Sequence, residues 1–169
     1  EPGEAVVPVI IAGFGRVGQN IAQGLRNADV PYSVIELDPE IIFNLRCGGT
    51  ACIYGDASNN HVLSKVDITQ ARVLVVTFPD PLTVLTTVRT ALAANPRLKV
   101  VARVHRAREA EQLKRMGVTE LISPEYQASL EFLRRILSLT GWRKPDIKRT
   151  LSVVEQDEEV TEFSSDKEE

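Results

Sequence analysis

The stretch Val6-Val7-Pro8-Val9-Ile10-Ile11-Ala12-Gly13-Phe14-Gly15-Arg16-Val17-Gly18 decides how this chain is read. An apolar run ends at Gly13, and two further glycines follow in a GxGxxG pattern. A second apolar run ends in Glu36-Leu37-Asp38, about 20 residues further on. Strand, glycine turn, helix, strand and acid in that order form a dinucleotide-binding fingerprint. Gly13 permits the tight turn, Gly15 lets the backbone approach a pyrophosphate, and Gly18 lets the helix pack close to the strand. A helix opening at Arg16 presents unpaired N–H groups and a partial positive charge to phosphates. Arg16 is placed to reach a phosphate, and Phe14 and Val17 complete the turn that surrounds it. Glu36 is placed to accept hydrogen bonds from a ribose diol, with Leu37 and Asp38 beside it. Both acids would repel a 2′-phosphate, which favours NAD or an AMP-type ligand over NADP.

Outward from this segment, strands and helices alternate with short gaps. Strands are expected at 6–12, 32–37, 50–54, 72–77, 98–104 and 119–122, short and rich in Val and Ile as in strands buried on both faces. Helices are expected at 16–28, 39–47, 58–65, 81–94, 106–116 and 124–140. Pro39 and Pro124 sit at first turns, where a missing N–H is harmless, and Ser58 reads as the cap of the third helix. Six βα units predict an α/β fold, a Rossmann-like doubly wound parallel sheet in three layers, as a single domain over 6–141 with residues 1–5 as a linker. The crevice then lies at the carboxyl ends of the strands.

The loops at those ends hold the other candidates. Asp56 follows the third strand in Tyr54-Gly55-Asp56-Ala57-Ser58. It reads either as an acceptor for an adenine amino group, with Ala57 leaving room for the ring, or as a plain helix cap. Thr77-Phe78-Pro79-Asp80 ends the fourth strand, and Thr77 can offer a hydroxyl. Arg103, closing the fifth strand, can pair with a phosphate or an acid. His105 reads as a loop residue or a pH-sensitive contact. In the last helix Tyr126, Leu130, Leu133, Ile136 and Leu137 form one stripe, with Phe132 and Leu139 toward another side. Such a helix either docks on a partner subunit or buries one wide stripe.

Composition narrows the function classes. At 169 residues the chain suits one domain with a substantial core, and no apolar run approaches the length needed to span a bilayer. Cys47 and Cys52 lack metal-type spacing with His61 and His105 and are expected as small core residues in a reducing compartment. Net charge is -3, of which residues 151–169 carry -7, leaving +4 on the rest. Residues 142–169 read as a basic, then acidic, disordered tail. The basic stretch from Arg134 to Arg149 lacks interleaved aromatics except Trp142, so no nucleic-acid partner is expected.

GFGRVGQNIA, VIELDPE, YGDAS, KVVARV and LISPEYQASLEFLRRIL, in this order over residues 6–140, resemble the regulator of potassium conductance family, also called the TrkA N-terminal domain. The resemblance implies a regulatory domain on the cytoplasmic face of the membrane, attached to a potassium channel, transporter or cation/proton antiporter. It implies binding of NAD(H), AMP, ADP or ATP without turnover, and a homodimer, with rings as a further assembly. By position, Gly13, Gly15 and Gly18 would hold phosphates, Glu36 the ribose, and Asp56 and Ala57 would border the adenine. The other reading is a small NAD-dependent oxidoreductase, for which only His105, Asp80 and Tyr126 offer acid–base groups.

Overall fold

A computed structural model of the chain describes residues 8–164. Six strands form one wholly parallel sheet: β1 (Val9–Ala12), β2 (Tyr32–Glu36), β3 (Cys52–Tyr54), β4 (Val73–Val76), β5 (Lys99–Arg103) and β6 (Glu120–Ile122). Their order is β3-β2-β1-β4-β5-β6. The helices are α1 (Arg16–Asn27), α2 (Pro39–Cys47), α3 (Asn60–Ser64), α4 (Pro81–Ala94), α5 (Ala107–Arg115), α6 (Pro124–Leu139) and α7 (Lys144–Ser164). The expected Rossmann-like doubly wound sheet is therefore present.

The apolar strand residues alternate between two cores. Ile10, Ala12, Ile35, Leu74, Val76, Val100 and Ala102 face one cluster with α3, α4 and α5. Val9, Ile11 and Val34 face the other, closed by Ala22 of α1 and Leu45 of α2. Burial on both faces is why these strands read as continuous Val and Ile runs rather than as alternating ones. Three helices open on a capping side chain followed by proline: Asp38 before Pro39, Asp80 before Pro81 and Ser123 before Pro124. A capping oxygen takes an orphan N–H, and proline at the next position has none to satisfy.

The described chain divides into two compact units, the first ending at Ile122 and the second starting at Ser123. The first holds the whole sheet. The second corrects the expectation of a disordered tail over 142–169, because 144–164 are helical. Ile147, Leu151 and Val154 recur at helical spacing, with Ile147 buried and the other two half-buried. Asp146 also accepts hydrogen bonds from Arg143 and Arg149. The acidic bias of the sequence hid this short apolar stripe. The expected linker at 1–5 lies outside the described residues, as do 165–169.

Two smaller expectations change as well. Ser58 does not cap α3; Asn59 does, its Oδ1 accepting from His61 N at 2.8 Å. Cys47 is exposed at the end of α2 rather than part of the core, and Cys52 is half-buried; both are free thiols.

Candidate nucleotide crevice

β1 and β4 are neighbours in the sheet, and the strand order runs outward in opposite directions from them. Their carboxyl ends mark the switch point at which a doubly wound sheet opens a crevice. Gly13 leaves β1 there with φ at +99°, a conformation an L side chain resists. A Cβ at Gly13 would also stand 2.6 Å from Thr77 Oγ1. At Gly18 a Cβ would stand 2.2 Å from the carbonyl oxygen of Gly13, so α1 can pack on the turn only if residue 18 has no side chain. Gly15 differs: a Cβ there would meet nothing within 4 Å. Its glycine is not needed by the protein's own packing, and the space above it is open.

The amino end of α1 is bare. Its N-cap is Gly15, with no side-chain hydrogen bond, and no acid lies in the first turn. α2, α3, α4 and α6 are each capped by a side chain, and α5 has Glu109 in its first turn. An uncapped amino end leaves N–H groups and partial positive charge available to an anion.

Glu36 closes the opposite side. Its Oε2 accepts from Phe14 N at 2.7 Å, and its Oε1 accepts from Leu37 N at 2.6 Å and Asp38 N at 3.0 Å. One carboxylate thus ties the glycine turn to the end of β2, 22 residues away in sequence. The two halves of the fingerprint are in direct contact. The family model of the TrkA-N domain matches residues 9–124. The chain belongs to the TrkA-N domain family.

Among relatives, this TrkA-N chain is 32% identical over 133 residues to the glutathione-regulated potassium-efflux system protein KefC of Enterobacter sp. strain 638, across 79% of this chain and 21% of that protein. Its fold matches the Shewanella denitrificans Kef CTD in AMP-bound form with a TM-score of 0.77 at 26% identity, covering 91% of this chain and 94% of that one. It also matches the TrkA-N domain of inner membrane protein YbaL from Escherichia coli, with a TM-score of 0.73 at 26% identity, covering 80% and 98%. The chain spans about a fifth of the length of the curated relatives it matches.

In this TrkA-N domain several expected ligand contacts are engaged with the protein itself. Asp38 Oδ1 caps α2, accepting from Glu40 N at 2.8 Å and Ile41 N at 3.3 Å. Asp56 Oδ1 accepts from Ser58 N at 2.8 Å and so shapes the turn after β3; it is not the cap of α3. Ala57, expected to border an adenine ring, is 1% exposed and packs in the first core. Its small size serves the packing under the loop.

Thr77 Oγ1 donates toward Gly13 O at 3.0 Å and Ala12 O at 3.2 Å, so its proton holds the glycine turn rather than a ligand. Phe78 is half-buried against the first core and Phe14 is buried in the second. Arg16, Val17 and Leu37 are exposed at the mouth, and Arg103 is half-buried at the end of β5.

Asp80, one of the acids considered for catalysis, caps α4 through Thr83 N and Thr83 Oγ1. The hydrogen bond from the Thr83 hydroxyl, with that from its N–H, holds the Asp80 carboxyl below its usual range. His105 N donates to Glu109 Oε2 at 3.1 Å. The clamps made by Glu36 and Thr77 were not foreseen. Both join a side chain to backbone far away in sequence, which no residue spacing reveals.

Proposed function

We propose that this TrkA-N domain senses an adenine nucleotide, AMP, ADP, ATP or NAD(H), and transmits the bound state to the cation-conducting part of a potassium-efflux antiporter or a related channel or transporter. The observation that carries this reading is the bare amino end of α1 beneath the open space at Gly15, with the Glu36 carboxylate across from it. Phosphate suits the first and ribose hydroxyls the second, since Glu36 Oε2 accepts a single amide bond and keeps a lone pair beyond it. The likeness to an AMP-bound Kef CTD and to KefC supports both the ligand class and the setting. No described helix is long and apolar enough to cross a membrane, so transport itself would belong to another part of the protein.

The domain binds without turnover. Asp80 is held ionised by its capping bonds, which suits it poorly to proton donation. The domain works as a homodimer on the cytoplasmic face of the membrane. A nucleotide shifts the balance between two dimer arrangements only by binding one of them more tightly. The test is calorimetric titration of wild type and Gly15→Leu with AMP, ADP, ATP, NAD, NADH and NADPH, with NADH absorbance followed over hours. Binding of at least one nucleotide other than NADPH, its loss in Gly15→Leu at unchanged melting temperature, and constant absorbance are expected. Wild type that ignores all six ligands, or a Gly15→Leu variant that binds as well as wild type, overturns the reading.

A further inference from the structure

A second polar pocket, of about 380 Å³, lies at the opposite end of the sheet from the crevice, where β4 and β5 begin. Its lining includes Thr69, Gln70, Arg72, Asn95, Arg97 and Lys99. Three cations line it, and among the described residues no carboxylate does. Among the described residues none of the three has a carboxylate partner. Some other surface cations are paired at short range, as Arg115 is with Glu111 and both Arg134 and Arg135 are with Glu131.

The pocket is also built on a rigid base. Asn95 is 8% exposed, and its Nδ2 donates to Ile68 O at 2.8 Å and Ala71 O at 3.1 Å. Its Oδ1 accepts from Arg97 N at 3.1 Å. One buried amide therefore locks the segment before β4 to the segment before β5, and these segments carry the cations. Two backbone bonds complete the frame: Arg72 N donates to Pro8 O at 3.0 Å, and Lys99 N donates to Arg72 O at 2.9 Å. Like charges held together on a fixed frame repel unless something neutralises them.

We infer that this pocket is a binding site for a compact phosphoryl anion, separate from the nucleotide crevice. Two guanidinium forks and an ammonium match a tetrahedral oxyanion of charge near two better than a single carboxylate. Thr69 and Gln70 add neutral donors at the rim. The phosphoryl group has two sources, a free phosphate compound or the headgroup of an anionic lipid. Either would act at a place that leaves the crevice free for nucleotide.

The experiment follows backbone amide resonances of the full 169-residue chain during titration with inorganic phosphate through the millimolar range. A parallel arm measures co-sedimentation with phosphatidylglycerol vesicles against phosphatidylcholine vesicles. Wild type is compared with R72Q/R97Q/K99Q and with R46Q/K65Q/R89Q, which removes equal charge from exposed positions elsewhere. All six positions are exposed, so both variants should melt like wild type.

The inference expects shifts confined to 69–72 and 95–99, weakened about tenfold or more in the first variant and unchanged in the second. Site-dependent retention on phosphatidylglycerol assigns the lipid source; phosphate binding without such retention assigns the free one. If neither probe engages 69–72 and 95–99, or if both variants weaken equally, the inference is overturned. Resonances of Gly13–Gly18 report the crevice separately, so failure of one site is distinguishable from failure of the other.

Discussion

Gly15 and Gly18 belong to one motif yet serve different masters. A methyl at 18 collides with a backbone oxygen that cannot move without undoing the turn, whereas a methyl at 15 meets open space. Gly18→Ala is expected to lose about 1–3 kcal/mol or more in urea denaturation. Gly15→Ala should stay within about 0.5 kcal/mol of wild type while losing nucleotide affinity. In the proposed reading Glu36 serves both the protein and the ligand. As Gln it would keep one acceptor oxygen for amides that now use two, leaving Phe14 N or the Leu37–Asp38 pair unsatisfied. Denaturation of ligand-free Glu36→Gln should show a loss of about 1–3 kcal/mol. An unchanged midpoint would mean the clamp carries no stability.

At the scale of elements, caps separate structural acids from ligand-facing ones. Asp38 lies two residues beyond Glu36, yet its carboxylate closes the amino end of α2. Asp38→Ala should therefore destabilise the fold by about 1 kcal/mol and leave nucleotide affinity nearly unchanged. A large affinity loss at unchanged stability would return Asp38 to the site. In α6, Glu131 receives two hydrogen bonds from Arg134 and one from Arg135. These hold its carboxyl from the ordinary 4.5 down to about 2. A depressed carboxyl stabilises the folded form above its ordinary pKa, and that contribution fades as pH falls from about 4.5 toward 2. Circular dichroism across this window should show a greater acid-induced loss of stability in wild type than in Glu131→Gln. Parallel curves would count against the contribution.

At the scale of the whole molecule, the second unit presents Phe132, Ile136 and Leu139 at 70%, 54% and 88% exposure, spaced along one face of α6. Ile136 thus joins the two residues expected apart from it and leaves the stripe of Leu130, which is buried. Within the proposed homodimer this face is the natural site for a second copy. Phe132→Asp with Ile136→Asp should move the chain from dimer to monomer in sedimentation velocity while preserving its helicity. Dimers that survive the double substitution would place the interface elsewhere.

By itself, the sequence determined the element order and the parallel sheet, because β runs buried on both faces and cap-proline starts are local signals. It also located the glycine turn and the acid that faces it, because strand, turn and helix place them at fixed spacing. It missed α7, whose apolar stripe of Ile147, Leu151 and Val154 is thin beneath a strong acidic bias. What only the tertiary structure decided is how polar groups are shared. Asp38 and Asp56 bond nearby amides, Thr77 holds the glycine turn, Ala57 is core, and Asn95 binds two loops under three cations. Side-chain oxygens and amides have few bonds to make, and the partner each one finds depends on which backbone groups the fold brings within about 3 Å.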